Sequence, residues 1–298
     1  MSRTSREVSE DNWELMRRTF RHALQSSCVA FALLGFACSA LAGFDEGMAA
    51  YKRKDYETAA REWQPLAAQG DPRAQYEMGV LHFQGWGVAR DLDKALAYYR
   101  QAAEQGQSGA LHNLGVMYGR GLGVTQDDKQ ALSYFRRAAQ AGNVESMFVI
   151  GSYLEDGRGG VEVDYAEAAK WFRKSAEQGY FRAQNRLGLA LWQGRGIERN
   201  ETEAAHWIGR SAKQGWAAAQ MGYARMYQTG AGVPQDRSEA YFWYSLALPR
   251  ITNLAERDIV LGELRTAAAS MTPKELQDAE KRVRAWKPKF EMMYEPGP

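Results

Sequence analysis

Between Asp71 and Gln105 the apolar residues fall into two stripes, each with the spacing of an amphipathic helix. Ala74, Met78, Leu81 and His82 share a face of the first stretch, and Ala95, Tyr98 and Ala102 a face of the second. Asp71-Pro72 opens the first helix, where proline loses nothing because that N–H has no helical partner. Gly85-Trp86-Gly87 closes it, since glycine accepts the positive φ of a C-terminal cap, and Val88 can plug the loop back into the core. Asp91 then caps the second helix. The pattern predicts a helix pair, and one such pair cannot bury both of its faces without neighbours.

The neighbours are in the sequence. The glycine loop returns at Gly121, Gly157, Gly194 and Gly230, at spacings of 36, 36, 37 and 36 residues. With it return a capping residue (Asp91, Asp127, Asp164, Asn200, Asp236), an alanine (Ala95, Ala131, Ala168, Ala204, Ala240) and an aromatic (Tyr98, Tyr134, Trp171, Trp207, Trp243). Five copies are delimited, 70–105, 106–141, 142–178, 179–214 and 215–248. A period of this length predicts an all-α, right-handed superhelix of stacked helix pairs over about 44–298, without β-sheet. The recurring aromatic is expected to fill the wedge between the two helices. Gly79, Gly115, Gly151 and Gly188 sit inside the first helix of their copies, at about 1 kcal/mol each against alanine, which points to close helix–helix approach. Asp164 with Glu167, Asn200 with Glu203 and Asp236 with Glu239 have the spacing of reciprocal capping boxes. The ends differ from the middle. Residues 43–69 read as a capping helix pair with a tight Lys54-Asp55 turn, and 249–298 as capping helices from about Leu254 and from Thr272-Pro273-Lys274-Glu275.

These repeated positions resemble the Sel-one-like repeat (SLR) family, relatives of the tetratricopeptide repeat. The clearest copy is ALHNLGVMYGRGLGVTQDDKQALSYFRRAAQAG from Ala110. Later copies depart at Ser146, Leu154, Leu191 and Ala224, all at core positions. The resemblance implies a non-enzymatic protein-binding scaffold: an adaptor, a regulator of envelope machinery, or an immunity protein that neutralises a type VI phospholipase effector. The partner it implies is a protein, with a secreted lipase effector or an envelope regulator as candidates. A cysteine-rich branch of the family has been described as β-lactamases. That leaves as alternative a hydrolase acting on a β-lactam or cell-wall-like substrate.

Residue chemistry gives that alternative little to work with. His82 takes the slot of Tyr118 and Tyr227 in other copies, and reads as core filling. His112 and His206 have no partner at ligand or triad spacing, and no S-x-x-K element is present. The G-x-G loops follow no strand, so they do not read as dinucleotide loops, and no cofactor or metal is implied. The sharper signal lies on the first helix of each copy, which in tetratricopeptide-like solenoids lines the concave surface. Offsets of two, six and nine from the Ala74 position share one side. They give Tyr76, Val80 and Phe83, then His112 and Val116, then Phe148, then Leu189 and Trp192, then Met221 and Arg225. Aromatic and aliphatic residues with a few polar handles have the composition of an interface. Packing between successive first helices would use the same valines and leucine. Trp86, in a cap loop, is a second candidate contact.

Composition adds an address. The stretch from Gln25 to Phe44 is uncharged and follows Arg17, Arg18 and Arg21; Ala40-Leu41-Ala42 ends it. A basic segment, a short apolar segment and a small-x-small site read as a secretory signal peptide over 1–42, with the true start possible at Met16. Its rivals are an uncleaved anchor and a lipoprotein at Cys38. Cleavage after Ala42 would remove both cysteines, Cys28 and Cys38, and leave a periplasmic or secreted chain. A net charge of +2, with mixed signs, offers no concentrated basic face for nucleic acid.

Overall fold

The structure, a computed structural model, describes residues 43–291; the expected signal segment lies outside them. Among the described residues there are fourteen α-helices, two short 3-10 turns and no strand. The chain divides into two compact units at Gln105/Gly106.

The first unit holds α1 (residues 43–52), α2 (Tyr56–Ala68), α3 (Pro72–Gln84) and α4 (Leu92–Glu104). Lys54 makes the tight turn between α1 and α2 with φ 63, and Asp55 caps α2 by accepting from Thr58 N. Trp63 is fully buried at the centre, its indole donating to Phe44 O at 3.2 Å.

The second unit holds α5 (Ser108–Arg120), α6 (Asp128–Gln140), α7 (Val144–Asp156), α8 (Tyr165–Glu177), α9 (Phe181–Gln193), α10 (Glu201–Lys213), α11 (Ala217–Thr229), α12 (Arg237–Ala247), α13 (Leu254–Ala269) and α14 (Pro273–Ala285). From α5 to α13 each helix packs on the next, and α14 returns to α12. The repeated helix pairs expected from the period are therefore what forms. Odd-numbered helices from α3 to α11 are the first members of their pairs (A helices), and even-numbered ones from α4 to α12 the second (B helices).

The capping residues act as their spacing predicts. Asp91, Asp127, Asp164, Asn200 and Asp236 each accept from the backbone N–H three residues on. The three reciprocal boxes do not close. Glu167 turns to Lys170 at 3.0 Å, Glu203 to Arg173 at 2.7 Å and the Trp207 indole at 3.2 Å, and Glu239 to the Trp243 indole at 3.2 Å. A partly buried indole N–H needs an acceptor more than an exposed cap N–H does. The one complete box among the described helices is Thr272 with Glu275, at the start of α14.

The interior glycines of the A helices mark close approach. A Cβ on Gly151 would stand 2.6 Å from the Phe172 ring, and the same holds for Gly79 under Tyr99 at 2.5 Å and Gly115 under Phe135 at 2.6 Å. These rings belong to the residue after the recurring aromatic, which corrects the wedge assignment. Tyr99, Phe135 and Phe172 are 1–3% exposed, while Tyr98, Tyr134 and Trp171 are only half-buried. Trp207 and Trp243 do go under, each with a glutamate on its indole.

Candidate protein-binding face

The A helices carry the offset stripe as a half-buried band. On α3 it comprises Tyr76, Val80 and Phe83, with the Tyr76 ring 6.1 Å from that of Tyr99. In the second unit, His112, Val116, Phe148, Leu189, Trp192 and Met221 are half-buried and Arg225 is exposed. Val116, Phe148, Leu189, Trp192 and Met221 all rest on the core below them. Phe148 leans on Phe172 at 5.7 Å and meets Tyr180 edge-on at 5.4 Å. Packing and presentation are thus served by the same side chains: the inner part of each is fixed by the core and the outer part remains at the surface. Rings held in this way lose little rotamer freedom on contact, which favours them as anchors. Charge along the band is sparse and of both signs, Glu155 being 3.6 Å from Arg186.

Burial has shifted several titratable groups here. The Glu77 carboxyl, beside Tyr76 on α3, is pushed up to about 7 by desolvation. The His112 imidazole is pushed down to about 4 for the same reason. His112 does have partners, contrary to its isolation in sequence. Its Nδ1 is 2.8 Å from Ser146 Oγ, and its Nε2 is 3.6 Å from Glu145, whose own carboxyl burial also raises. Both members of that contact are driven toward their neutral forms, so it is not an ion pair at neutral pH. The three groups have the order of a serine hydrolase relay. Ser146, however, is 0% exposed, and a nucleophile sealed in the core cannot reach a substrate. Ser146 replaces the alanine found at positions 74, 110, 183 and 219. That substitution, opposite a histidine one repeat earlier, was the available signal of a buried polar pair.

A histidine whose folded pKa is depressed contributes stability that is complete above its unfolded value near 6.5 and is lost as pH falls toward 4. The loss amounts to about 3 kcal/mol at most. Urea melts between pH 7 and 4 are expected to show a shallower decline for His112→Gln than for the natural chain. Parallel declines would mean that the imidazole is already solvated in the native state.

Trp86 is not a bare loop residue. Its ring stacks on Tyr56 at 4.9 Å and lies 6.1 Å from Tyr51, closing the first unit's core. His82 is buried as core filling, with Nδ1 3.2 Å from Ala89 O. No helix among the described residues is long and apolar enough to cross a membrane.

Comparison with known proteins places the repeats. The Sel1 repeat family profile matches residues 72–107, 108–143, 144–180, 181–216 and 217–248. A protective antigen present in uropathogenic Escherichia coli strains, described as displaying an SLR fold, superposes with TM-score 0.70 at 29% identity over 83% of this chain. The present chain spans about half of that protein, 52%. A Sel1 repeat protein from Oxalobacter formigenes superposes with TM-score 0.65 at 29% identity, over 80% of this chain and 98% of the other. A search of curated proteins found no match.

Proposed function

The chain belongs to the Sel1 repeat family, and on that premise we propose that it is a non-enzymatic scaffold that holds a partner protein on the A-helix faces of its repeats, outside the cytoplasm. The observation that carries this reading is the half-buried band. Phe148, Leu189, Trp192 and Met221 are anchored by the core and still reach the surface, at offsets the repeat leaves variable. The core positions around them recur from copy to copy, as packing requires, whereas the band changes composition, as recognition of one irregular partner requires. Export rests on the residue pattern of 1–42, and the partner is accordingly sought in the cell envelope or the secreted fraction. An immunity role toward a lipase effector and a regulatory role are the two finer readings. A lipase-effector gene beside this one supports the first; a sensor-kinase or polysaccharide operon supports the second.

The test is capture. Mature chain used as bait on an extract of the exported fraction is expected to retain one or a few proteins, and the natural chain recovered from that fraction to begin at Gly43. Phe148→Ala with Trp192→Ala is expected to release the captured protein, because truncation of a central aromatic anchor costs about 2 kcal/mol or more. Helical circular dichroism at the assay temperature separates this from unfolding. A folded double variant that still holds the protein would move the contact off this face.

A further inference from the structure

Beyond α14 the chain turns back along α10 and ends its described part in a slot built by the repeat itself. Lys289 N donates to Lys213 O at 2.8 Å, and Glu291 N to Gln214 Oε1 at 3.3 Å. The Glu291 carboxylate accepts from Gln184 Nε2 at 2.7 Å and from Arg210, whose Nε lies at 3.0 Å and whose Nη2 closes the ion pair. Gln184 and Gln214 are buried, at 0% and 6% exposure. They are tied to each other at 2.8 Å, to Ala176 O at 3.2 Å and to Gly179 O at 2.9 Å.

Three repeats earlier, in the first unit, the same positions are Gln75 and Gln105, and they make the same bonds. Gln105 Nε2 donates to Gln75 Oε1 at 3.0 Å and to Gly70 O at 2.9 Å, and Gln75 Nε2 to Ala67 O at 3.3 Å. Beside Gln75 and Gln101, the equivalents of Gln184 and Arg210, there is a cavity of about 470 Å³, walled also by Lys94, Tyr98 and the α2 alanines Ala67 and Ala68. That volume lies within the range of small-ligand sites, roughly 300–1,000 Å³. Gln101 stands at the position of Arg210, and Lys94 supplies the cation.

We propose that this first-repeat cavity is a docking slot for an extended acidic peptide of a partner protein, whose carboxylate takes the place that Glu291 takes in the second unit. Three features favour that occupant. An amide group carries two donors; Gln184 spends them on Ala176 O and Glu291, while Gln75, 5% exposed, has Ala67 O as the acceptor corresponding to the first. Lys94 brings an ammonium to the wall, held only by a long, exposed 3.8 Å pair with the Asp91 cap. The end of α4 at Glu104 offers a last-turn carbonyl of the kind that Lys213 presents to the Lys289 N–H. The proposal shares with the scaffold reading only the premise that the chain binds proteins; its residues are on α2, α3 and α4, apart from Phe148 and Trp192.

The probe is a labelled peptide with the sequence of Trp286–Glu291 in which serine replaces Lys287 and Lys289, N-acetylated and C-amidated so that its glutamate is its one charge, titrated into full-length mature chain at low salt. Saturable binding is expected, weakened tenfold or more by Lys94→Glu with Gln101→Glu and equally by glutamine in place of the peptide's glutamate. Arg210→Ala, in the tail's own slot, is expected to leave it within twofold. Both substituted side chains of the double variant are exposed, and an unchanged melting temperature confirms its fold. No saturation up to millimolar peptide, indifference to the double change, or loss on Arg210→Ala alone would each overturn the assignment. A concentration-dependent dimer abolished by Lys94→Glu would give the slot to the tail of a second copy and also overturn it. Failure here with successful capture on the Phe148 and Trp192 face refutes the slot and leaves the scaffold reading standing.

Discussion

Phe172→Ala is expected to destabilise the chain by about 3–5 kcal/mol, the usual cost of emptying a buried phenylalanine site. The neighbouring change Trp171→Ala is expected to cost about 1 kcal/mol, although tryptophan is larger and is the residue that recurs. Phe172 is 1% exposed, with its ring seated over Gly151, where the absent Cβ leaves room for it. No backbone shift can refill that space cheaply, because α7 and α8 are held together on both sides by further helices. Trp171 is half-buried on the edge of that core, with Lys174 Nζ over its ring at 4.3 Å, so its truncation opens a site that water can reach rather than a sealed cavity. Urea melts of the two variants decide the order. A larger loss for Trp171→Ala would put the inner stripe of the B helices one residue earlier.

Gly196→Ala is the second large effect, at about 2–5 kcal/mol from left-handed strain and overpacking together. Gly196 has φ 70, and a methyl there would lie 2.2 Å from the carbonyl carbon and oxygen of Tyr165. Those are backbone atoms at the start of α8 and cannot swing aside. Gly194, two residues earlier, also has positive φ, but its nearest neighbour is the Arg199 Cβ at 3.4 Å, so its alanine variant is expected to cost about 1–2 kcal/mol. Gly87 against Tyr56 and Gly232 against Glu201 repeat the geometry. At these three loops the second glycine thus lets a repeat clasp the start of the helix that closes the preceding pair, which the cap geometry of the first glycine alone would not do. Equal melting temperatures for the two variants would remove that clasp.

Helix positions, caps and the close-approach glycines were legible because each is a local signal, the first two repeated five times and the glycine four. Depth along the B helices was not. Recurrence marked position 171 and its equivalents, where in the first two copies the ring stacks on the A-helix partner, Tyr98 on His82 at 5.8 Å and Tyr134 on Tyr118 at 5.5 Å. The deeper position tolerates Tyr99, Phe135, Phe172 and Ile208, since a glycine opposite accepts any of them. The capping boxes misled for a related reason. A glutamate at the third helical position has the cap N–H and the indole four residues on within reach, and spacing alone does not rank them. Of the candidate face, the residues and their register were readable, but their dual use in packing and presentation was not. Contacts such as Glu291 with Gln184, 107 residues apart, leave no periodic trace at all.

The scaffold account stands on one side of the A helices being the partner's contact. Hydroxyl-radical footprinting of the mature chain, with and without the captured protein, reads that contact directly, because aromatic and methionine side chains label in proportion to exposure. The account predicts reduced labelling of Phe148, Trp192 and Met221 in the complex, with Trp171 and Tyr134 on the B helices unchanged. Protection confined to Trp171 and Tyr134, with the A-helix residues labelled as in the free chain, would contradict it.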